Sequence, residues 1–582
     1  NLVLLKDTDG DDKADVKEIV LSGFDDHDTH HAISAFTADP SGAIYMGEGV
    51  FLHTNVETAY GTVRGTNGGF YRYSPQRHYL ERTAQLPIPN PWGIAFDDWG
   101  QPFFEHTSGP SATWMMPGTI VPRYGVSSPL PENLIEKDHL VRPTSGLEFV
   151  SSRHFPDAAQ GNMLIANTIG FLGIKEHSMV DDPKTAGYVS KHQEDLISAS
   201  DKNFRPVDME FAPDGSLYFI DWHNVLIGHM QHNARDPLRD HVHGRIYRIT
   251  YPSRPLVEPA KIVDASIDEL LDNLKLPEYR TRYRTKRELR ARDASEVLSK
   301  LKTWVSSLDT NDPRYEHHVL EALWVTWGLN KVDGQLLEQM LNAKDFKARA
   351  AAVGVLRYAG HQIPDQAELL MQAAKDDNPR VRLEALVAAS WLGRDTGIPI
   401  ITEAGKKGLD KWMEKPYESA IAHLNGHKAG EEPKEVIKTD LKGKDLELLV
   451  AGREIYMRDG YCATCHQADG QGLEASGFPP LAGSEWVTGN VDRLIKLTTN
   501  GLMGPIVVNG KTYPGQVPMT PFGNLLTADE TAAVLTYIRN TFGNKATPIS
   551  PEKVKEVREQ IKDKQGFYSP EELLKEHPHG SK

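Results

Sequence analysis

The first 252 residues alternate short apolar, aromatic-rich runs with turns rich in Gly, Asp, Pro and Asn. This pattern is typical of short β-strands joined by tight turns. One unit recurs: an apolar strand, a turn that ends in glycine, and a second apolar strand. The turn glycines are Gly42, Gly100, Gly161 and Gly215, so successive copies lie 58, 61 and 54 residues apart. This repetition predicts an all-β propeller with one sheet per repeat.

The number of repeats suggests that the propeller is incomplete at its N-terminus. Only about four units fit into residues 1–252, whereas a closed ring of about six blades needs more chain. We therefore expect the chain to begin within a propeller, as a processed or truncated piece. Association with a missing propeller fragment is the corresponding expectation about partners.

Residues 253–430 change character, with few Gly and many Ala, Leu, Arg and Glu at helical spacing. Three positions that each open a helix recur every 33 residues: Asp312, Asp345 and Asn378. The apolar residues Leu320, Val353 and Leu386 keep the same register. Paired helices at this period predict an α-solenoid of HEAT-like repeats. A plain helical linker domain is the alternative, and either one serves as a scaffold.

The remaining chain divides into three parts. Residues 431–446 are rich in Lys and Glu and form a linker, and residues 447–547 form a compact all-α module. Residues 548–582 are a charged tail, expected to be a peripheral helix or an extension. The formal net charge of −15 argues against binding to nucleic acid or to an anionic membrane. No run approaches the ~20 apolar residues that a transmembrane helix needs.

The chemistry of the all-α module is indicated by Cys462-Ala-Thr-Cys465-His466, the attachment motif of c-type haem. The two thiols would bond the porphyrin, and His466 would be an axial ligand of the iron. A zinc site would need two further ligands, yet both cysteines of the chain lie in this motif. A redox dithiol would need a βαβ setting. The module is therefore predicted to be a class I cytochrome c domain that transfers electrons outside the cytoplasm, in the periplasm or at the cell surface.

The second axial ligand should lie downstream of the motif. Met519 precedes the last helix of the module in a Pro-rich loop and is the favoured candidate, with Met503 as its rival. His/Met ligation suits electron transfer rather than oxygen chemistry.

An acidic segment near the N-terminus has the residue spacing of a calcium-binding loop. Carboxylates stand at loop positions 1, 3, 5, 9 and 12, and a backbone carbonyl is expected from position 7. The expected ligands are Asp7, Asp9, Asp11, Lys13, Asp15 and Glu18. The flanking residues read as strands rather than helices. A solvated acidic turn is the alternative.

The propeller repeat also predicts a polar site. Polar residues end the second strand of each unit, and others begin the first strand, which lies beside it in an antiparallel pair. The expected catalytic residues are His31, Glu48, Arg205 and Asp221, and the expected cofactor-binding residues are Asn90 and His106. A His beside a carboxylate is a general-base pair, and Arg can hold an anion. The alternative is that this end of the propeller is polar simply because it is exposed to solvent.

Five histidines, His223, His229, His232, His241 and His243, form a second cluster in the sequence. Their spacing matches no metal-binding template. A surface or inter-blade role is the main expectation for them.

Nearly the whole chain resembles the large haem-binding CxxCH proteins of planctomycetes and their relatives, which are labelled membrane-bound dehydrogenases. Their layout is a propeller, HEAT-like repeats and a terminal cytochrome c. The matching stretches are Asp28–His31, Asn90–Gly93, Ser145–Pro156, Gly228–His232 and Met519–Gly523.

The β region also resembles, more distantly, the quinoprotein sugar dehydrogenases. In those proteins a His is the base and an Arg-Asn-Pro segment helps to hold pyrroloquinoline quinone. His31 stands where that base would fall, and Asn90-Pro91 matches the later segment with Pro89 in place of its Arg. Arg205-Pro-Val-Asp208 resembles a further cofactor-contacting stretch, so the resemblance implies Asp208 as a third cofactor-binding residue.

Two functional hypotheses follow from the resemblance. The first is a sugar or alcohol dehydrogenase that passes electrons from the propeller through its own haem to a redox partner protein. The second is a non-enzymatic cytochrome whose propeller and solenoid bind partners or polysaccharide.

Overall fold

The computed structural model describes residues 1–28, 31–107, 109, 111–224, 239–426, 439–458, 461–515 and 517–580. The described residues up to 252 form antiparallel β-sheets, residues 267–424 form a layer of helices, and a second helical unit begins at Lys444. None of the helices in these ranges is both long and apolar enough to cross a bilayer. The predicted fold class, an all-β region followed by two all-α regions, is confirmed.

The β region contains four sheets in chain order, each built around one repeat. They are preceded by a hairpin, and a second hairpin is inserted in the first sheet. The hairpins are β1 (Leu2–Lys6) with β2 (Val16–Leu21) and β5 (His53–Thr58) with β6 (Gly61–Thr66). The sheets are β3 (Ser34–Ala38), β4 (Ile44–Glu48), β7 (Gly69–Ser74) and β8 (Tyr79–Ala84); β9 (Pro91–Phe96), β10 (Pro102–His106) and β11 (Ser111–Trp114); β12 (Thr144–Phe149), β13 (Met163–Asn167), β14 (Gly173–Asp181), β15 (Tyr188–His192) and β16 (Ile197–Ser198); and β17 (Pro206–Phe211), β18 (Leu217–Asp221) and β19 (Arg245–Ile249).

The repeated turn needs a glycine, which explains why the repeat can be recognised in the sequence. Gly42, Gly100, Gly161 and Gly215 connect the first two strands of the four sheets and have φ values of 77° to 86°. This left-handed conformation favours glycine over residues that carry a Cβ atom. In the first turn, the carboxylate of Asp39 accepts hydrogen bonds from the backbone N–H groups of Ser41 and Ala43.

Consecutive sheets stack through their first strands. β3 packs against β9, β9 against β12, and β12 against β17. The approach is close at Gly146, where an added Cβ would lie 2.7 Å from the Cα atom of Asp208. One sheet per repeat is therefore observed, and closure of these sheets into a propeller stays a prediction.

The helices of the middle region pack into one continuous core. The three predicted register positions, Leu320, Val353 and Leu386, are all fully buried in it. Asp345 and Asn378 cap the helices that they were predicted to open. The helices are α1 (Ile267–Asn273), α2 (Tyr279–Ala291), α3 (Ala294–Ser306), α4 (Tyr315–Gly328), α5 (Gly334–Leu341), α6 (Phe346–Ala359), α7 (Gln366–Ala373), α8 (Pro379–Ala389), α9 (Arg394–Gly405) and α10 (Glu414–Leu424).

This helical layer covers the first two repeated turns of the β region, at Gly42 and Gly100. The guanidinium of Arg290 on α2 donates to the carbonyl oxygen of Ser41 at 2.8 Å. Gln101, after the second turn, donates to the carboxylate of Glu384 on α8 at 2.8 Å. The opposite ends of the strands, where the predicted polar residues stand, are therefore left for a site.

The second helical unit is built on the packing of α11 (Lys444–Tyr456) against α15 (Ala528–Asn540). A capping box formed by Thr527 and Glu530 begins α15. Its other elements are α12 (Cys462–His466), α13 (Glu485–Thr488), α14 (Val491–Asn500), β20 (Ile506–Val508), β21 (Lys511–Tyr513), α16 (Pro551–Gln560) and α17 (Pro570–Glu576). The charged tail is not peripheral, because Val554, Val557, Tyr568 and Leu573 are buried in the core of this unit.

Candidate haem centre and adjoining polar mouth

The attachment motif forms the single-turn helix α12, which carries both cysteines and ends at His466. Both thiols are free. Burial raises the pKa of Cys462 to about 12 and also raises the pKa of Cys465. A redox dithiol needs the opposite shift, since the thiolate is its reactive form. Within the described ranges, no group of His, Cys, Asp or Glu near this helix meets the spacing of a metal site.

The imidazole of His466 is already oriented for a metal. Its Nδ1 lies 2.8 Å from the carbonyl oxygen of Pro479, which can only accept, so Nδ1 carries the proton. The Nε2 atom is then the one with a lone pair for iron. Burial lowers the pKa of His466, which favours the neutral form that binds metals.

Met519 and Met503 occupy different environments. Met519 packs against the same core as Cys462 and exchanges backbone hydrogen bonds with Leu502. Met503 is 53% exposed. Two thiols, an oriented imidazole, a half-buried methionine and an apolar core together fit a covalently attached haem.

The strand ends opposite the turn face form a second polar site, here called the mouth. The register places His106 opposite Pro91, Asn167 opposite Thr144, and Asp221 opposite Pro206. Glu48 follows Gly47, which lies opposite Ser34. The predicted antiparallel pairing of these strand ends is therefore observed. Trp92 and Trp222, whose ring centroids are 5.6 Å apart, connect the second and fourth sheets at this end.

The mouth does not pair His31 with Glu48 as the sequence suggested. Glu48 is fully buried among Thr54, Tyr71 and Arg82, with 3.3 Å to the Arg82 guanidinium. The carboxylate that faces the His31 ring is Asp28, 3.4 Å from Nδ1. Glu48 therefore balances a buried arginine, and Asp28 takes the place that was assigned to Glu48.

Arg205 stabilises the mouth by donating hydrogen bonds to three neighbouring residues. Its Nη1 donates to the carbonyl oxygen of Thr168 at 2.7 Å and its Nε to that of Asn224 at 3.0 Å. Its backbone N–H donates to the carboxylate of Asp221 at 2.6 Å. The predicted residues Arg205 and Asp221 are thus hydrogen-bonded to each other, and both are hydrogen-bonded to neighbouring loops.

The remaining predicted mouth residues lie close by. The side chain of Asn90 accepts a hydrogen bond from Trp92, and its carbonyl oxygen accepts one from the Thr107 backbone at 3.2 Å. His106 is buried at the end of β10. Burial raises the pKa of Asp208, which lies near the fully buried Glu105.

Several buried polar atoms around the mouth have no hydrogen-bond partner within the described part of the chain. They are Thr144 Oγ1, Asn167 Oδ1, Thr168 Oγ1 and Asp221 Oδ2. Such atoms are unfavourable unless water or a ligand satisfies them. They therefore mark a place where water or a hydrogen-bonding ligand is needed.

The acidic loop gathers half of its predicted calcium ligands. Asp7, Asp9 and Asp15 each bring one carboxylate oxygen within 4.8 Å of the others. Asp11 pairs instead with Lys13 at 3.3 Å, and Glu18 pairs with Lys6 at 3.5 Å. Glu18 is separated because it already belongs to strand β2, whereas a helix would turn it back toward the loop.

The predicted cluster of five histidines is only partly described, because His229 and His232 lie outside the described residues. His243 is exposed and lies 2.9 Å from Asp240. His223 lies 4.0 Å from Asp221, at the mouth.

Sequence reasoning missed the contact that joins the mouth to the haem motif. Arg142, just before β12, places Nη1 3.8 Å from Cys465 Sγ, and its backbone N–H donates to Ser476 Oγ at 3.1 Å. Gly170, after β13, is so close that an added Cβ would lie 2.6 Å from the same hydroxyl. The only local signal was the rigid Arg-Pro step, and nothing in the sequence indicated its partner 323 residues away.

Comparison with known proteins agrees with this architecture. The sequence profile of a domain of unknown function, DUF7133, matches residues 1–140 and 132–253. The profile of HEAT repeats matches 334–416, and that of cytochrome c matches 449–542.

Curated relatives match the last of these regions. Cytochrome c-552 of Thermus thermophilus is 37% identical over 125 residues, 19% of this chain and 82% of that protein. The cytochrome c subunit of the quinone alcohol dehydrogenase of Gluconacetobacter polyoxogenes is 37% identical over 98 residues, 17% of this chain and 20% of that subunit. The fructose dehydrogenase cytochrome subunit of Gluconobacter japonicus is 32% identical over 107 residues, 17% of this chain and 21% of that subunit. The chain thus spans about a fifth of these two dehydrogenase subunits.

Among solved structures, a glucose dehydrogenase is similar at 14% identity with a TM-score of 0.24, over 38% of this chain and 67% of that one. The firm relationship is that of the haem module, which aligns with most of cytochrome c-552 and has the thiol pair and the oriented histidine. Through residues 449–542, the chain belongs to the cytochrome c family.

Proposed function

We propose that this protein is an extracytoplasmic oxidoreductase in which a dehydrogenase site at the mouth is linked to the haem of the same chain. The observation that carries the proposal is the contact of Arg142 with Cys465. Arg142 belongs to the rim of the mouth, and the Cys465 sulfur is an attachment atom for the porphyrin. This contact supports transfer of electrons from the mouth to the haem attachment site.

Haem c, when bound to Cys462, Cys465, His466 and Met519, supplies a one-electron centre. A one-electron centre also implies a redox partner protein. Covalent haem attachment supports a location in the periplasm or at the cell surface.

The proposed substrate class is a sugar or another alcohol. Oxidation of a hydroxyl group to a carbonyl releases two protons and two electrons. A diffusible two-electron acceptor of the quinone class would take up both electrons and pass them one at a time to the haem. The residue proposed to take the hydroxyl proton is His31, with Asp28 placed to stabilise its protonated ring. The buried polar atoms of Thr144, Asn167 and Thr168 lack a hydrogen-bond partner among the described residues, which supports a ligand that offers hydroxyl groups.

The described residues do not fit the pyrroloquinoline quinone that the resemblance implies. That cofactor is anionic, and Arg205 already donates to two backbone carbonyl oxygens. Pro89 stands where the related segment has an arginine. The proposal therefore assigns the dehydrogenase role to the mouth, and it names no residue of the mouth that binds pyrroloquinoline quinone.

The test is substrate-dependent reduction of the haem in the purified full chain. A panel of aldoses and primary alcohols is added, with and without an added quinone, and the haem absorption band is followed. We expect at least one substrate to reduce the haem, and His31→Gln to slow the reduction about 10²–10⁴-fold. His78→Gln, an exposed histidine between β7 and β8, is the matched control.

If no substrate reduces a haem that dithionite does reduce, the dehydrogenase proposal is wrong. The scaffold hypothesis would then be favoured. The bracing of Glu48 by Arg82 and of Asp221 by Arg205 is the structural feature that supports it.

A further inference from the structure

The C-terminal segment Pro551–Glu576, here called the strap, lies beyond the cytochrome c match, yet it is part of the haem module. Val554, Val557 and Leu573 are fully buried, and Tyr568 is 4% exposed. A segment added only as a solvated tail would not bury these side chains. The strap therefore has a defined packing partner in the module.

That partner is the chain that precedes and supports Met519. Leu502 and Met519 exchange two backbone hydrogen bonds, of 2.8 and 3.3 Å. On the other side, the Met503 N–H donates to Tyr568 at 2.9 Å, and the Tyr568 N–H donates to Gly501 at 3.2 Å. Residues 501–503 are thus held between the strap and the Met519 segment, as the central strand of a small sheet.

The three chain segments are in tight contact. Gly501 has a φ of +76°, and an added Cβ would lie 2.4 Å from the Met519 carbonyl oxygen and 2.8 Å from the Phe567 ring. Displacement of the strap would therefore free the central strand on one side. The Met519 segment would lose the rigid backing of that strand.

The strap also holds the helices on either side of the Met519 segment. Glu576 pairs with Lys496 on α14 at 2.6 Å, and Lys553 pairs with Asp492 at 3.0 Å. Arg558 donates to the Leu526 carbonyl oxygen at 3.0 Å, just before α15. Both ends of the segment are consequently fixed to the strap.

We propose that the strap is a positioning element for Met519, which keeps the sixth coordination position of the haem iron closed to outside ligands. This inference rests on the haem centre with Met519 as axial ligand, and it is independent of any substrate at the mouth. The physical reason is a population argument. An exogenous ligand binds in proportion to the fraction of molecules in which Met519 has left the iron.

The first experiment titrates imidazole into the ferric, haem-loaded full chain and follows the near-infrared band of methionine-ligated ferric haem. Leu573→Ala removes a buried anchor of the strap. We expect imidazole to bind about tenfold more tightly, as it would if Met519 dissociated ten times more often. The methionine band should weaken in parallel.

Leu449→Ala is the matched control, because Leu449 is equally buried but lies on α11. Its imidazole affinity should stay close to that of the unmodified protein. A tenfold change in both variants would overturn the proposal, since general loss of packing would explain it. Unchanged affinity in Leu573→Ala would also overturn it.

A second set of variants avoids any core disruption. Lys496→Glu and Glu576→Lys each place like charges together at the strap and should raise the imidazole affinity. The double variant restores opposite charges and should return the affinity toward its original value. Failure of the double variant to restore it would overturn the proposal. The titration uses no substrate, so an absence of dehydrogenase activity would not affect the result.

Discussion

Glu105 is an acidic residue in an environment that disfavours a charged side chain. It lies on β10, is fully buried, and neither carboxylate oxygen has a hydrogen-bond partner within the described residues. Burial, and secondarily the charge of Asp208, raise its pKa well above the ordinary value. The carboxyl group is therefore held in its protonated form inside the β region.

This shift has a defined consequence for stability. As pH rises past the ordinary glutamate pKa, the unfolded chain loses this proton while the folded protein retains it. The folded state then binds more protons, so the free energy of unfolding falls with rising pH. We expect Glu105→Gln to remove a slope of up to about 1.4 kcal/mol per pH unit from the profile above the ordinary glutamate pKa.

Denaturant unfolding at a series of pH values measures this slope. Glu57→Gln, on the exposed side of β5, is the control and should leave the profile unchanged. A Glu105→Gln profile that parallels that of the unmodified protein would contradict the assignment.

At the scale of elements, the hairpin of β1 and β2 carries the acidic loop. Asp7 accepts backbone hydrogen bonds from Gly10 at 2.7 Å and from Asp12 at 2.9 Å, which lower its pKa. Asp15 is fixed in the same way by Thr8 at 2.7 Å. The carboxylates are thus ionised and held close together, which is costly without a cation.

We expect calcium to stabilise this hairpin. Calcium at 100 times its Kd would add about 2.7 kcal/mol to the stability of the part that binds it. A chelator should lower the thermal midpoint, and calcium, but not magnesium, should restore it. Asp9→Asn should abolish the response, whereas Asp26→Asn, an exposed acid outside the cluster, should retain it. A thermal midpoint that does not change when the chelator is added would favour the solvated acidic turn.

At the scale of the whole molecule, the helical layer and the haem module contact opposite ends of the β-strands. Arg282 of α2 is buried between Asp98 of the β region and Glu321 of α4. Arg142 makes the contact with the haem module. The β region therefore connects the two helical units, with the mouth on the side of the haem motif.

Arg142 should influence the haem itself. A guanidinium beside the Cys465 sulfur disfavours the more positive ferric state, so its removal should favour oxidation. We expect Arg142→Gln to lower the midpoint potential by about 20–60 mV. Arg153→Gln, which breaks an ion pair between the β region and Glu278 at the start of α2, is the control for loss of an arginine. Equal potentials in a redox titration of the unmodified protein and Arg142→Gln would show that the two units are not coupled here.

The sequence by itself determined the features that depend on neighbouring residues. Two thiols and an imidazole within five positions define haem attachment in a single helical turn. An Asp ahead of a positive-φ glycine defines the β-turn, as at Asp39 and Gly42. Such features can be predicted from the sequence because the interacting groups are only a few residues apart.

Only the tertiary structure decided which distant groups meet. Alternate residues of a strand face opposite sides, so Glu48 at the end of β4 turned inward to Arg82. The fold of the loop before β3 placed Asp28 beside His31. The contact of Arg142 with Cys465 and the packing of the strap beside Leu502 depend on how whole units dock. Docking is set by the summed shape and burial of many side chains, and no local pattern of residues encodes that sum.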